Sequence, residues 1–186
     1  MKSTVPTNER ALYEATLELH QKAEKHPFAI ALSSGTLSDQ EWVDWCAAML
    51  QIYRVLDVYL PPYLQRSANL FQDLLEMLPI EPDFSACAED VVDEIMSDPT
   101  NVTFIGGLAY TLTGASLRGG QTIRKAIEKR GHSCTHLTFS EETREKAEAW
   151  LDALRANGSC AEGAKLSFVA SMDIMDEIYN RYHQEG

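Results

Sequence analysis

The chain has 186 residues, 45% of them hydrophobic, a size that predicts one domain spanning residues 1–186 with a core large enough to enclose a pocket. Its 28 acidic residues against 16 basic ones give a formal charge of −12, which excludes a general affinity for nucleic acid or an anionic membrane and requires a local basic patch for any anionic ligand. No apolar run reaches eighteen residues, the opening MKSTVPTNER has no apolar signal region, and Cys46, Cys87, Cys134 and Cys160 show no C-x-x-C spacing, so the expectation is a cytoplasmic protein with reduced thiols, no membrane span and no zinc site.

In order, the chain reads as helix after helix. Thr7 can cap a first helix with Leu12, Thr16, Leu19 and Ala23 on one stripe, ending near His26 before Pro27. Phe28 to Ser34 makes a short second helix that Gly35 terminates, and Ser38 with Glu41 forms a capping box for a long third one carrying Trp42, Trp45, Met49, Ile52, Tyr53 and Leu56. Pro61 and Pro62 break or restart it, and Leu64, Ala68, Leu70, Phe71, Leu74 and Leu78 continue a helical pattern to Pro79. Asp83 to Ser97 reads as an acidic helix built on Phe84, Val91, Val92, Ile95 and Met96.

Gly106 to Lys129 reads as one helix, because Leu108, Leu112, Ala115, Leu117, Ile123, Ala126 and Ile127 recur at near-helical spacing. Gly106, Gly107, Gly114, Gly119 and Gly120 together cost it roughly 4–5 kcal/mol of helix propensity. Two readings account for that cost. Either a flat object lies against the glycines, where no Cβ stands in its way, or a second helix packs closely on them. Gly131 to Thr138 is the one long loop, followed by a helix from Ser140-x-x-Thr143 through Trp150, Leu151 and Leu154 that Gly158 closes. Glu162 to Tyr182 is the last helix, with Leu166, Phe168, Val169, Met172, Met175 and Ile178 facing inward. No alternating strand pattern of four or more residues occurs, so the expected architecture is a single all-α domain with any cofactor held between facing helices.

On the first helix His20 sits about 40° round from Thr16, at the flank of the apolar stripe, with Glu24 one turn on. Neutral imidazole is an ordinary axial ligand for haem iron, and a nearby carboxylate commonly orients it through the other nitrogen. A lone helical histidine also fits an unremarkable surface position. His26, His132, His136 and His183 have no partner at ligand spacing and read as surface residues.

Taken together these segments resemble the haem oxygenase family. EATLELHQKAEKHPF is similar to its opening pattern, in which a histidine followed by x-x-A-E ligates the iron, here His20, Ala23 and Glu24. LQIYRVLDVYL, with Asp57, resembles its tyrosine-containing helix. Pro61, Leu64, Arg66, Ala68, Leu70, Asp73 and Leu74 meet P-x-x-L-x-R-x-A-x-L-x-x-D-L. Ala109-Tyr110-Thr111, then Leu117-x-Gly119-Gly120-Gln121 and Lys125, reproduce most of the distal signature, and Glu162, Ala164, Lys165 and Phe168 match the last helix.

The resemblance implies a haem-oxygenase-like helical bundle with a kinked, glycine-rich distal helix. Haem, both cofactor and substrate, lies between the His20 helix and that distal helix. With O2 and an external electron donor, such as ferredoxin or a flavoprotein reductase, it is opened to biliverdin with release of carbon monoxide and ferrous iron. His20 is then the metal ligand; Glu24, Tyr110, Ala115 and Phe168 line the cofactor; Gly119 and Gly120 are the backbone nearest its distal face. The sequence also departs from the pattern. Ser116 stands where the family usually has a distal aspartate, and Ala115 where it has the first distal glycine. Tyr13, Leu17 and Leu112 replace usual basic residues, leaving the propionates to Tyr110 and a base on the penultimate helix, Arg144 or Lys146. Besides the active enzyme, the sequence leaves open a haem carrier or sensor without turnover, and a non-haem enzyme of the same fold.

Overall fold

A computed structural model describes the backbone of residues 7–157 and 160–183, and their side chains apart from residues 7–11 and 157. Among these residues there are nine α-helices, two 3₁₀ turns and no strand. The second and third helices follow the capping chemistry of the sequence. α1 (Thr7–Glu24) is followed by α2 (Pro27–Ser34), where His26 Nδ1 accepts from the Phe28 amide and Gly35, at φ 72°, ends the helix in the left-handed region open to glycine. α3 (Asp39–Leu56) opens on a complete capping box: Ser38 Oγ accepts from the Glu41 amide at 3.2 Å, and Glu41 accepts from the Ser38 amide at 2.8 Å. The capping role expected of Thr7 lies outside the described side chains.

The next segments differ from the expected boundaries because side chains from elsewhere take the helix ends. In place of a pattern continuous from Leu64 to Pro79, a 3₁₀ turn at Pro62–Leu64 precedes α4 (Ser67–Glu76). The Asp57 carboxylate accepts from the amides of Arg66, at 3.1 Å, and Ser67, at 2.9 Å, so the new helix starts there. α5 (Ala86–Ser97) begins three residues later than expected, since Ser85 caps it and Glu177, from the last helix, accepts from Ser85 Oγ and the Ala86 and Cys87 amides. Phe84 and Met96, expected in its packed face, are exposed.

The glycine-rich stretch is two helices. α6 (Val102–Arg118) starts at an Asn101 cap, and α7 (Gly120–Glu128) follows after a break at Gly119. The loop beyond it contains a 3₁₀ turn at Thr135–Leu137, and α8 (Glu141–Asn157) leads to α9 (Ala161–His183). The residue expected to close α8, Gly158, lies outside the described residues. α9 presents Gly163, Ala164, Ser167, Ile174, Met175 and Ile178 inward, whereas Leu166 and Val169, expected inside, are exposed. The reason is the close approach of α6: a Cβ on Gly107 would lie 2.2 Å from Ala164 N, and one on Gly163 would lie 2.4 Å from Thr103 O. Only small residues fit where two helix backbones nearly touch.

The core gathers Phe28, Trp42, Ile52, Leu56, Leu70, Ile95, Leu108 and Ile178 from six of the helices. α9 is the central member. α6 and α1 both pack on it and on α8, while α1 and α6 make no extended contact with each other. The C-terminal half of α9 is tied to α3 and the α4–α5 connection by Asp44, fully buried, which accepts from Arg181, the Tyr182 hydroxyl, Gln40 and the Asp83 amide.

Candidate functional site

The five glycines divide by what stands against them. Gly107 belongs to the α6–α9 crossing, and Gly106 faces the Cys160 thiol of the same region, so close packing accounts for these two. Gly114, a little under two turns further along α6, has open space where its Cβ would be. Gly119 meets nothing but its own helix's Ala115 carbonyl, and Gly120 abuts the Leu137 side chain. The first turns of α6 are therefore a packing surface, and Gly114 leaves open space beside its later turns.

His20 stands on α1, the other helix that α8 and α9 hold. Its side chain is 53% exposed, its ring meets Phe168 of α9 edge-on with centroids 5.6 Å apart, and Nδ1 turns to Glu24 at 3.6 Å. That leaves Nε2 without a partner among the described residues. An imidazole with one nitrogen directed to a carboxylate and the other open is the arrangement a metal-ligating histidine needs.

Behind the last turns of α6 lies a cavity of about 80 Å³. α3 supplies Trp45, Met49 and Tyr53 to its wall, α6 supplies Leu112, Ala115 and Ser116, α7 supplies Gly120 and Ile123, and the loop after α7 adds His136 and Leu137. Leu112 and Ala115, which replace an arginine and a glycine of the family pattern, thus make this wall apolar. Ser116 donates its hydroxyl hydrogen to the Leu112 carbonyl at 2.9 Å, which leaves its oxygen lone pairs free to accept. Burial pushes the phenol of Tyr53 up to about 12, with neighbouring Ser116 and Arg66 working against it, so Tyr53 is a neutral donor at physiological pH.

Both bases that the sequence singled out make contacts within the protein. Arg144 donates to the Leu117 carbonyl at 3.1 Å, bracing α8 on the end of α6, and Lys146 pairs with Glu142 on its own exposed face. The base against Tyr110 is Arg155, near the end of α8, which donates through Nε to the phenolic oxygen at 3.1 Å and lies over the ring at 5.5 Å. Nothing in the spacing of α8 distinguished Arg155 from its neighbours. Nor did the sequence mark the histidines as paired, yet four are. His26 meets Asp176, His132 meets Asp39, His183 meets Glu41, and His136, expected on the surface, is buried with Nδ1 2.7 Å from Asp73. Partners more than sixty residues away in sequence supply those carboxylates. Among the described residues no group of three His, Cys, Asp or Glu side chains converges as a metal would require, and no helix is long and apolar enough to cross a membrane.

Helices without a strand among the described residues, an exposed imidazole on α1 and a cavity beside the last turns of α6 define an all-α protein with room for a ligand at α6. The haem oxygenase family model matches residues 8–175. The chain belongs to the haem oxygenase family. Three solved structures are similar in fold. Haem oxygenase-1 of the cyanobacterium Synechocystis sp. PCC6803, in complex with haem, is 17% identical over 93% of this chain and 92% of that one, with a TM-score of 0.76. The haem oxygenase of Leptospira interrogans is 19% identical over 92% and 99%, with a TM-score of 0.80. Haem oxygenase-2 of Synechocystis sp. PCC 6803, in complex with haem and NO, is 18% identical over 95% and 88%, with a TM-score of 0.77. No curated protein matches the sequence.

Proposed function

We propose that the protein is an active haem oxygenase, which opens haem to biliverdin, carbon monoxide and ferrous iron with O2 and electrons from ferredoxin or a flavoprotein reductase. The observation that carries this reading is His20: a half-exposed imidazole with Glu24 3.6 Å from Nδ1 and no partner at Nε2 among the described residues, on a helix that α8 and α9 hold as they hold the glycine helix. Two of the similar structures hold haem, which supports the same ligand here.

Haem, when bound, supplies both the iron that activates O2 and the macrocycle that is cut. His20 is the ligand to that iron, with Glu24 setting its orientation and Phe168 walling its edge. Gly114 leaves open space on α6 where a side chain would stand, so a planar group can approach the backbone there. Tyr110 and Arg155 are the hydrogen-bonding and cationic groups suited to a propionate at the end of α8, with Arg155 taking the role sequence assigned to Arg144 or Lys146. Ser116 holds water near the site through its free lone pairs, and Leu112 gives the wall beside it an apolar surface.

Hemin added to the purified protein with a reductant under air tests this. We expect a ligated ferric spectrum that gives way to biliverdin absorption, and a His20→Ala variant that loses the ligated spectrum. Haem bound through His20 with no bilin formed would favour the carrier reading, and a spectrum indifferent to His20→Ala would remove the ligand assignment.

A further inference from the structure

His136 enters none of the roles above, yet it is the most elaborately held side chain next to the cavity. The Asp73 carboxylate, buried beneath it, accepts five hydrogen bonds: from Ser133 Oγ at 3.1 Å, the Thr135 amide at 2.9 Å, Thr135 Oγ1 at 2.8 Å, the His136 amide at 3.1 Å and His136 Nδ1 at 2.7 Å. The imidazole lies against Trp42 with ring centroids 5.8 Å apart and planes 29° apart. The Asp73 carboxylate makes Nδ1 a donor, so in the neutral ring Nε2 carries the lone pair. Nε2 has no hydrogen-bond partner among the described residues, and the ring forms part of the cavity wall.

We propose that His136 is a positioning residue of this site: fixed by Asp73 at Nδ1, it presents Nε2 to the cavity between α3, α6 and α7 and anchors water there, linking the Tyr53 and Ser116 hydroxyls into one hydrogen-bonded chain. The inference rests on the haem oxygenase reading for its purpose. Its physical basis does not. A cavity of about 80 Å³ has room for a few waters, but a water stays only where two to four polar groups receive it. The wall is otherwise apolar, and Ser116 has already committed its hydrogen to Leu112. Tyr53 donates, Ser116 accepts, and Nε2 supplies the second acceptor that a bridging water needs for its hydrogens. Four of the five bonds to Asp73 do not involve the ring, so the imidazole adds one bond to an already held loop and, unlike a phenyl group against Trp42, a second nitrogen. The chain of water thus ends beside Ser116, the residue that replaces an aspartate of the family pattern, and restores there a proton-accepting group that serine lacks.

The titratable groups around the ring are Asp73 of α4, Cys46 and Tyr53 of α3, Cys134 of the same loop, and Arg124 and Glu128 of α7 close to Cys134. Burial pushes Tyr53 and Cys134 each up to about 12 and Cys46 up as well, so Asp73 is the charged group in direct contact with the imidazole.

The test uses the full chain and the variants His136→Asn and His136→Gln. Asn offers Asp73 an N–H where Nδ1 stood and presents nothing to the cavity; Gln reaches further and offers the cavity an oxygen. In the haem-free protein, ring ¹⁵N shifts should report the Nδ1–H tautomer, and nuclear Overhauser contacts should connect the ring protons to a long-lived water. In the hemin complex, His136→Asn should stay folded with a melting temperature a few degrees below the parent's, shift the pH midpoint of the ferric absorbance change, and slow bilin formation about tenfold, with His136→Gln recovering part of the rate. A dry cavity in the haem-free parent overturns the inference whether or not the protein takes up haem. So does an Asn variant with the parent's midpoint and rate. A protein that shows the water contact but fails to bind hemin would instead overturn the functional reading and leave the water anchor in place.

Discussion

Replacing Gly107 and Gly114 by alanine, one at a time, should move stability in opposite directions although the two substitutions are chemically identical and lie on the same helix. Each gains about 1 kcal/mol of helix propensity. At Gly107 the new methyl would stand 2.2 Å from Ala164 N and 2.3 Å from Gly163 C, both backbone atoms with no rotamer to turn aside. Reaching ordinary contact at 3.4 Å requires α6 and α9 to part by about 1.2 Å at that point, which loosens the longest helix pairing in the fold. Overpacking of this kind costs about 3 kcal/mol at the upper end of its usual range, leaving a net loss of about 2 kcal/mol. For a chain of this size that lowers the melting temperature by about 4–8 °C. At Gly114 no atom lies within 4 Å of the methyl, so the propensity gain stands and the haem-free protein should melt about 2–4 °C higher. Thermal unfolding of the two haem-free variants beside the parent reads both signs. A Gly107→Ala protein as stable as the parent would refute the backbone contact between α6 and α9, and a destabilised Gly114→Ala protein would refute the open face.

Two further outcomes follow from the polar groups beneath the site. Burial opposes ionisation of Asp73, but hydrogen bonds from His136 and Thr135 outweigh it and bring the carboxyl from 3.8 down to about 2. A depressed folded-state value means stability that is complete above about pH 4 and is lost as pH falls toward 2, about 2 kcal/mol in all. Urea titrations should therefore show the parent losing more stability than Asp73→Asn across that window, and parallel curves would show that the carboxylate contributes no linkage. Ser116→Ala should slow bilin formation by roughly three- to tenfold and raise the hydrogen peroxide released per turnover, while Ser116→Asp should be tolerated or faster. An Ala variant matching the parent in both rate and peroxide would place the proton route elsewhere.

Local chemistry was legible in the sequence wherever it is complete within a few residues. The Ser38–Glu41 box and the Gly35 cap form as their spacing dictates, because each partner is within one turn of the other. The starts of α4 and α5 were misjudged because their caps come in part from a distance, Asp57 nine and ten residues before the amides it receives and Glu177 about ninety residues after. The α9 face was misjudged for a related reason. Leu166 and Val169 are the more apolar residues, but the inward positions go to Gly163, Ala164 and Ser167, whose smallness suits a neighbour that no periodicity reveals. At the site, His20 and Glu24 were visible as an i, i+4 pair. Arg155 and His136 were not, since their significance comes from Tyr110 and Asp73, 45 and 63 residues away.

The contact of Gly107 with Gly163 also acts as an index pin. Wherever side chains interdigitate, a helix can shift slightly and repack; where two backbones meet, any shift carries a Cβ into the opposing chain. Sliding α9 by one residue would bring Glu162 or Ala164 to the place of Gly163, against Thr103 O and the Phe104 backbone. The same slip would displace α9 by about 1.5 Å and rotate its side chains by about 100°. Five residues along, Phe168 would swing away from His20, and the edge-on ring contact that walls the imidazole would be lost. The azimuth of one wall of the site is thus set about 7.5 Å away, at a point on α9 where the deciding feature is an atom that is not there.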